Sequence, residues 1–384
     1  MKRLTNLITG RALLIVVLGI LIVFPSGCSK KRSEAKEIKI GVLMPLTGDA
    51  ASIGVPAWNG IQLAIEQINS RRNSEEPLLE LVSEDTKALP AEGLSALQKL
   101  ISIEKLKFVI GPLTSTVTLA VAPLAEQKKV VIISPGASAP KISESGDYIF
   151  RSEISEKLGG AIQATMAVNK LAYRRVACVY INTDYGAGLF GVFKKSFEQG
   201  GGSVVLSEAF DQGETDFRAI ISKIKSEEVD AVFLVAIDEV INFVRQKKEL
   251  GLVAQIYTTP IFENKLYLEK LGELAEGIVY VYYGTYNPES QDDRTISFVR
   301  AYESRFNSAP TYYSANAYDA AYMLYTALKE SKYQLKTVKD ALYNIKNFEG
   351  VSGTMSFDSN GDVTKDVSLK TVENGTFQFY KNVR

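Results

Sequence analysis

Two runs of small and hydroxyl-bearing residues carry the chemistry this chain can offer. Gly111-Pro112-Leu113-Thr114-Ser115-Thr116 closes one apolar, strand-like run and opens a helical one. Ser134-Pro135-Gly136-Ala137-Ser138-Ala139-Pro140 closes the next strand-like run. Hydroxyls and backbone N–H groups beside a helix N-terminus suit a carboxylate or another small anion. In an open parallel sheet such groups collect beyond the carboxyl ends of the strands, where ligands sit. Ser115 taken alone reads equally well as a helix cap. The pairing of the two runs is what favours a ligand.

The composition excludes most catalysis. The 384 residues contain no histidine, so the commonest general base and the commonest transition-metal ligand are both missing. Ser-His-Asp and Cys-His mechanisms and His-containing zinc sites are excluded with it. Gly136-Ala137-Ser138 resembles the start of a nucleophile elbow, but Pro140 stands where the last glycine belongs and nothing activates Ser138. Gly186, Gly188 and Gly191 match the dinucleotide spacing G-x-G-x-x-G. That fingerprint places its first glycine at the strand end, whereas here Asn182, Thr183, Asp184 and Tyr185 intervene. The stretch 358–362 (DSNGD) is half a calcium loop without the remaining ligands, and Asn360-Gly361 reads as a hairpin turn. No enzyme activity, cofactor or metal is expected.

The two cysteines speak to compartment. Cys28 follows an apolar run over 12–24 that is preceded by Lys2, Arg3 and Arg11, with Ser26-Gly27 leading into it. A basic start, a short apolar stretch and small residues make a secretory signal. The run is shorter than the roughly 20 residues a transmembrane helix needs. The cysteine resembles that of the bacterial lipobox, with Pro25 at the position where that motif usually has leucine. Residues 1–27 are therefore expected to be a signal peptide, Cys28 a lipidated N-terminus and 28–37 a polar tether. Several acyl chains would make the attachment durable. The mature chain would carry 41 basic and 44 acidic residues, and a net charge near −3 offers no field for nucleic acid. Cys178, inside RRVACVYI, would be a lone buried thiol.

The elements that must hold these runs alternate in type. IKIGVLM (38–44), LELVSED (79–85), KFVIG (107–111) and VVIIS (130–134) read as strands separated by helical periods. Short apolar strands alternating with helices predict an α/β chain with parallel sheets covered on both faces. The pattern restarts near residue 155, with strands RRVACVYIN (174–182), SVVLSEAF (203–210), DAVFLVA (230–236) and QIYTT (255–259). A chain of this length is large for one core, so two units are expected. The tail changes rhythm. A Tyr/Gly/Pro segment (282–288) precedes helical stretches near 292–306, 312–331 and 335–345, then strands near 366–372 and 376–381.

Taken in order, IGPLTST (110–116), ISPGASAP (133–140), YIFRS (148–152), NTDYGAG (182–188), TDF (215–217), DAVFLVA and SGTMSFDSNGD (352–362) resemble the leucine/isoleucine/valine-binding proteins of ABC importers. The likeness covers nearly all of 38–375. It implies the type I periplasmic binding protein fold: two doubly wound parallel-sheet lobes joined by three crossovers, which would fall near 152–156, 280–288 and 347–352. Lobe 1 would comprise 38–154 and 284–349, and lobe 2 would comprise 155–283 and 350–384. Ligand would be trapped between them by hinge closure.

By the same resemblance, Ser115 binds the ligand α-carboxylate, Gly136 and Ser138 hold it by backbone and hydroxyl groups, and Tyr185 closes over it from lobe 2. Three family positions depart: a second-lobe tyrosine falls on Ala236, the glutamate for the ligand ammonium falls on Ile261, and a first-loop aromatic falls on Ile53. Glu263, two residues past Ile261, is the substitute for the ammonium, provided that its loop shifts. The implied function is a lipid-anchored solute-binding protein, acting as a monomer. It would pass a small carboxylate, an amino acid or a related acid without an amine, to an ABC permease in the inner membrane. The alternatives are a sensor lipoprotein signalling to a membrane partner and a non-transport envelope lipoprotein.

Overall fold

The computed structural model describes residues 37–288 and 292–380. Cys28, the signal segment and most of the tether lie outside the described residues. Five parallel strands form the first sheet: β1 (Glu37–Met44), β2 (Leu78–Asp85), β3 (Phe108–Ile110), β4 (Val131–Ser134) and β5 (Ile149–Arg151). Their spatial order is β2-β1-β3-β4-β5. Helices α1 (Ala51–Arg71), α2 (Pro90–Ser102) and α3 (Ser115–Lys128) connect them. β3 and β4 are buried throughout, as expected of strands covered on both faces. Strand order reverses between β1 and β3, so the crevice beyond their carboxyl ends is a topological switch point.

The second sheet repeats that winding. β6 (Arg175–Ile181), β7 (Ser203–Phe210), β8 (Ala231–Val235), β9 (Gln255–Thr258) and β10 (Val279–Tyr283) run parallel in the order β7-β6-β8-β9-β10. Between them lie α4 (Glu156–Asn169), leading into β6, α5 (Asp184–Gln199), α6 (Arg218–Lys225), α7 (Glu239–Glu249) and α8 (Lys265–Leu271). β10 overlaps the stretch 280–288 expected to be a crossover. Its residues, VYVYY, are buried throughout and run directly into the Tyr/Gly/Pro segment that reads as a connection. The crossing itself begins at Gly284.

Three connections join the two sheets. The first runs from β5 into α4. The second leaves β10 for α9 (Asp293–Phe306), α10 (Tyr312–Glu330) and α11 (Val338–Tyr343). Of these, α10 packs along α1 so closely that a Cβ on Gly60 would lie 2.2 Å from the Ser314 carbonyl oxygen. The third passes through a two-stranded ladder, β11 (Phe348–Glu349) with β12 (Thr354–Met355), and returns as β13 (Val367–Glu373). β13 then adds antiparallel to β10 and pairs with β14 (Thr376–Phe379).

The tail corrects one expectation. Asn360-Gly361 does not join two long strands: only the bridge Phe357–Val363 flanks it. The true hairpin turn is Asn374-Gly375, both with positive φ (52° and 69°), as a type I′ turn demands.

Buried polar groups stitch the connections together. Glu153 in the first accepts hydrogen bonds from the Tyr312 hydroxyl at 2.7 Å and Asn316 Nδ2 at 2.9 Å. Lys365 in the third donates to Asn316 Oδ1 at 2.7 Å and Ser352 Oγ at 3.1 Å. Asp319 accepts from the Ser352 amide and hydroxyl at 2.7 and 2.6 Å. The second and third connections touch where the Thr285 amide meets the Ser352 carbonyl at 3.2 Å.

Candidate functional site

The carboxyl ends of both sheets face one cavity, bounded on the first-sheet side by Ile53, Leu113, Thr114, Ser115, Thr116 and Gly136. Thr183, Tyr185, Gln212, Ile237 and Ile261 bound it on the other side.

Ser115 opens α3 and is 2% exposed. Its Oγ accepts from two backbone amides, Ser138 N at 3.1 Å and Ala139 N at 3.0 Å. With both lone pairs filled, the hydroxyl proton is the only hydrogen-bonding capacity it has left, and the group can act toward a ligand only as a donor. The first intrahelical bond is Thr118 N to Thr114 O, 3.0 Å. The amides of Ser115, Thr116 and Val117 thus have no acceptor within the helix, and the helix dipole adds positive potential there. Thr114, the N-cap residue, makes no capping bond with its side chain. The arrangement is a concentration of donors without a formal cation.

Gly136 comes close to that apex. A Cβ there would lie 2.7 Å from Leu113 Cδ1 and 2.9 Å from Tyr313 Cε1, so only glycine fits. Ser138 is buried behind the wall rather than in it. Its amide holds Ser115, and its carbonyl accepts from Glu156 N at 2.7 Å.

The second sheet contributes Tyr185 from the first turn of α5, which Thr183 caps through the Gly186 amide at 3.3 Å. The two sides meet at this rim. Asp184 N donates to Thr116 Oγ1 at 3.2 Å, and a Cβ on Gly188 would lie 2.8 Å from Pro140 Cδ. Gly186 and Gly188 are thus close-approach positions inside a helix and not a phosphate loop, whereas a Cβ on Gly191 would meet nothing within 4 Å.

Glu263 is not brought to the cavity. It is 6% exposed, and both its oxygens face Lys370 Nζ at 2.6 and 2.8 Å, with the Tyr280 hydroxyl at 2.7 Å. Ile53 and Ile261 do line the cavity, whereas Ala236 is buried and its neighbour Ile237 lines it instead. Thr114, Thr116, Gln212, Ile237 and Tyr313 had not been singled out. The two threonines stood next to Ser115 in a run already marked, but Gln212 and Tyr313 come from loops and helices distant in sequence.

Glu156 stands behind Ser138, 2% exposed, with Oε2 lacking any partner. Burial, reinforced by the nearby Glu153 carboxylate, raises its affinity for a proton well above the usual carboxylate range. The folded state then binds this proton more tightly than the unfolded chain, so the group's contribution to stability falls as pH rises above the unfolded value. Glu156→Gln should remove that decline. Urea midpoints are expected to favour the variant more at about pH 8 than at about pH 4.5. A difference from parent that does not change with pH would contradict a protonated Glu156.

Among the described residues no group of acidic or sulfur ligands could hold a metal ion, and no helix is long and apolar enough to cross a membrane.

A family model described as periplasmic binding protein matches residues 37–376. The chain superposes on a leucine-binding protein from Thermotoga maritima with a TM-score of 0.83 at 29% identity, covering 90% of this chain and 98% of that one. It superposes with a TM-score of 0.82 at 29% identity on a branched-chain amino acid transporter substrate-binding protein from Streptococcus pneumoniae in complex with isoleucine, covering 89% and 98%. The leucine-, isoleucine-, valine-, threonine- and alanine-binding protein of Pseudomonas aeruginosa is 26% identical over 360 residues, 93% of this chain and 94% of that protein.

Proposed function

The chain belongs to the periplasmic binding protein family, whose members are extracytoplasmic solute-binding proteins and not enzymes, and from that premise we propose that it captures a small carboxylate for an ABC importer. The ligand sits between two lobes, 38–154 with 284–349 and 155–283 with 350–384. Its carboxylate docks on Ser115 and the first amides of α3, with Gly136 alongside. Ser138 acts through Ser115, and Tyr185 closes from the second lobe. The relatives whose names specify leucine and isoleucine support a ligand of that size. The liganded, closed form then presents both lobes to an ABC permease in the inner membrane, with the protein held nearby as a monomer by acyl chains on Cys28.

One observation carries the reading: a buried hydroxyl, forced into a donor role by two backbone amides, stands at a helix N-terminus inside a cavity shared by both sheets. Ser115→Ala is therefore expected to remove a charge-assisted hydrogen bond worth about 1.5–3 kcal/mol. Calorimetric titration should show a roughly 10- to 100-fold loss of affinity. Parent-like affinity in a folded Ser115→Ala variant would displace the site. The anchor is tested separately. Cys28→Ala should abolish acyl-chain labelling and release the protein from membranes, and membrane-bound, labelled variant would refute lipidation at that cysteine.

A further inference from the structure

We propose that the cleft is built for an apolar monocarboxylate that carries no ammonium group. The inference rests on the carboxylate reading above and narrows it.

The cavity wall combines the α3 donors with apolar residues and with the neutral polar side chains of Thr183, Tyr185, Gln212 and Tyr313. Donors crowd the N-terminus of α3, while Ile53, Leu113, Ile237 and Ile261 form much of the remaining wall. No aspartate or glutamate lines it among the described residues. Most carboxylates next to a lining segment are engaged elsewhere or face solvent: Asp184 stands 3.8 Å from Lys141 Nζ, and Asp211 is exposed and accepts from Asn182 Nδ2 at 3.4 Å. Glu239, two residues past Ile237, accepts from the amides of Gly213 and Ile237, each at 2.9 Å. Asp238 accepts from the Tyr267 hydroxyl at 2.8 Å. Glu263 is held by Lys370.

The exception is Glu156, whose Oε2 is unpartnered. It lies outside the wall, behind Ser138, and its free oxygen sits toward Gly159 and the Tyr283 hydroxyl, where a Cβ on Gly159 would meet both at 2.6–2.7 Å. Burial and the nearby Glu153 carboxylate raise its affinity for a proton, which weakens it as a countercharge. An α-ammonium in this cavity would shed its water against neutral oxygens such as those of Gln212 and Tyr185. A buried charge left with such partners alone is strongly disfavoured. A ligand with the same carboxylate and the same apolar body, but no amine, avoids that cost and keeps every favourable contact.

Matched pairs test this on the intact protein by titration calorimetry: leucine against 4-methylpentanoate, and phenylalanine against 3-phenylpropanoate. The amine-free member of the better-bound pair should be tighter by about 10-fold or more. Its affinity should fall in Ser115→Ala, which ties it to the α3 donors. An amino acid that binds tighter than its amine-free partner and weakens in Ser115→Ala would overturn the inference while leaving the carboxylate site standing. If that advantage disappears in Glu156→Gln, the ammonium partner is Glu156 and the inference is likewise wrong. No binding by either member of either pair would remove the small-carboxylate reading and this inference together.

Discussion

Lys370→Met is expected to destabilise the fold by about 3–5 kcal/mol, because it leaves a buried carboxylate without its cation. Lys370 stands directly opposite Tyr280 in the antiparallel pairing of β13 with β10. Its ammonium reaches both oxygens of Glu263 at 2.6 and 2.8 Å and lies 4.2 Å from the centroid of the Tyr282 ring. The two side chains are 2% and 5% exposed, so water replaces neither partner. Burial already pushes the Glu263 carboxyl upward in pKa, and the Lys370 ammonium opposes that most strongly. Without the lysine the carboxyl rises further and takes a proton when folded. Stability is then lost as pH rises through the range where the unfolded chain has already released that proton. The deficit should therefore be larger at about pH 8 than at about pH 5. The double variant Lys370→Met/Glu263→Leu should recover most of the loss, since an apolar pair of similar volume often matches a buried ion pair. Urea unfolding of the three proteins decides it. A single variant within about 1 kcal/mol of parent, or a double variant no better than the single, would rule out this account of Glu263.

Arg151→Met is expected to cost about 3 kcal/mol or more and to weaken ligand binding in the protein that remains folded. The guanidinium is fully buried and satisfies three separate acceptors. Nε meets Asp362 Oδ1 at 2.6 Å, one terminal nitrogen donates to the Ala139 carbonyl at 3.0 Å, and the other donates to Ser143 Oγ at 2.7 Å. It thereby ties the end of β5, the loop after β4 and the 358–362 turn together. The Ala139 amide is one of the two that fix the Ser115 hydroxyl, so the loss should extend to the candidate site. Arg151→Lys should rescue only part of the stability, because a single ammonium cannot serve three acceptors spread over a planar fork. Stability is read from denaturation, and affinity from titration well below the melting temperature. Parent-like affinity in a folded Arg151→Met protein would mean that the loop carrying Gly136 and Ser138 holds its shape without the arginine.

Much of this architecture was legible before any coordinates. The strands at 38–44 and 130–134, the helices opening at Pro90 and Ser115 and the restart near 155 are written in local periodicity, which a chain must show whenever an element buries one face or both. The absence of histidine closed off whole classes of chemistry from composition alone. The two hydroxyl-rich runs could be placed beyond strand ends because a loop between a buried strand and a helix has few other places to go. Ser115, Gly136 and Tyr185 line the cavity, and Ser138 stands one contact behind it.

What the sequence could not decide is which distant groups meet. Glu263 read as available for a ligand ammonium because its partner lies 107 positions away. No spacing rule links residues of β13 to a loop after β9; only the antiparallel addition of β13 to β10 puts lysine and glutamate in one dry space. β10 itself was hidden because its last tyrosines, Tyr282 and Tyr283, run straight into a Gly/Pro-containing segment that reads as a connection. Asn360-Gly361 and Asn374-Gly375 carry the same local hairpin preference, and long-range pairing with β10 selected the second for a ladder. The character of the cavity followed the same logic. Isoleucines from two lobes and a helix N-terminus are unremarkable in sequence, and they come to share one cavity only when hundreds of residues close around them. Local free energies set the elements; the large, non-local gain from burying apolar surface set their partners.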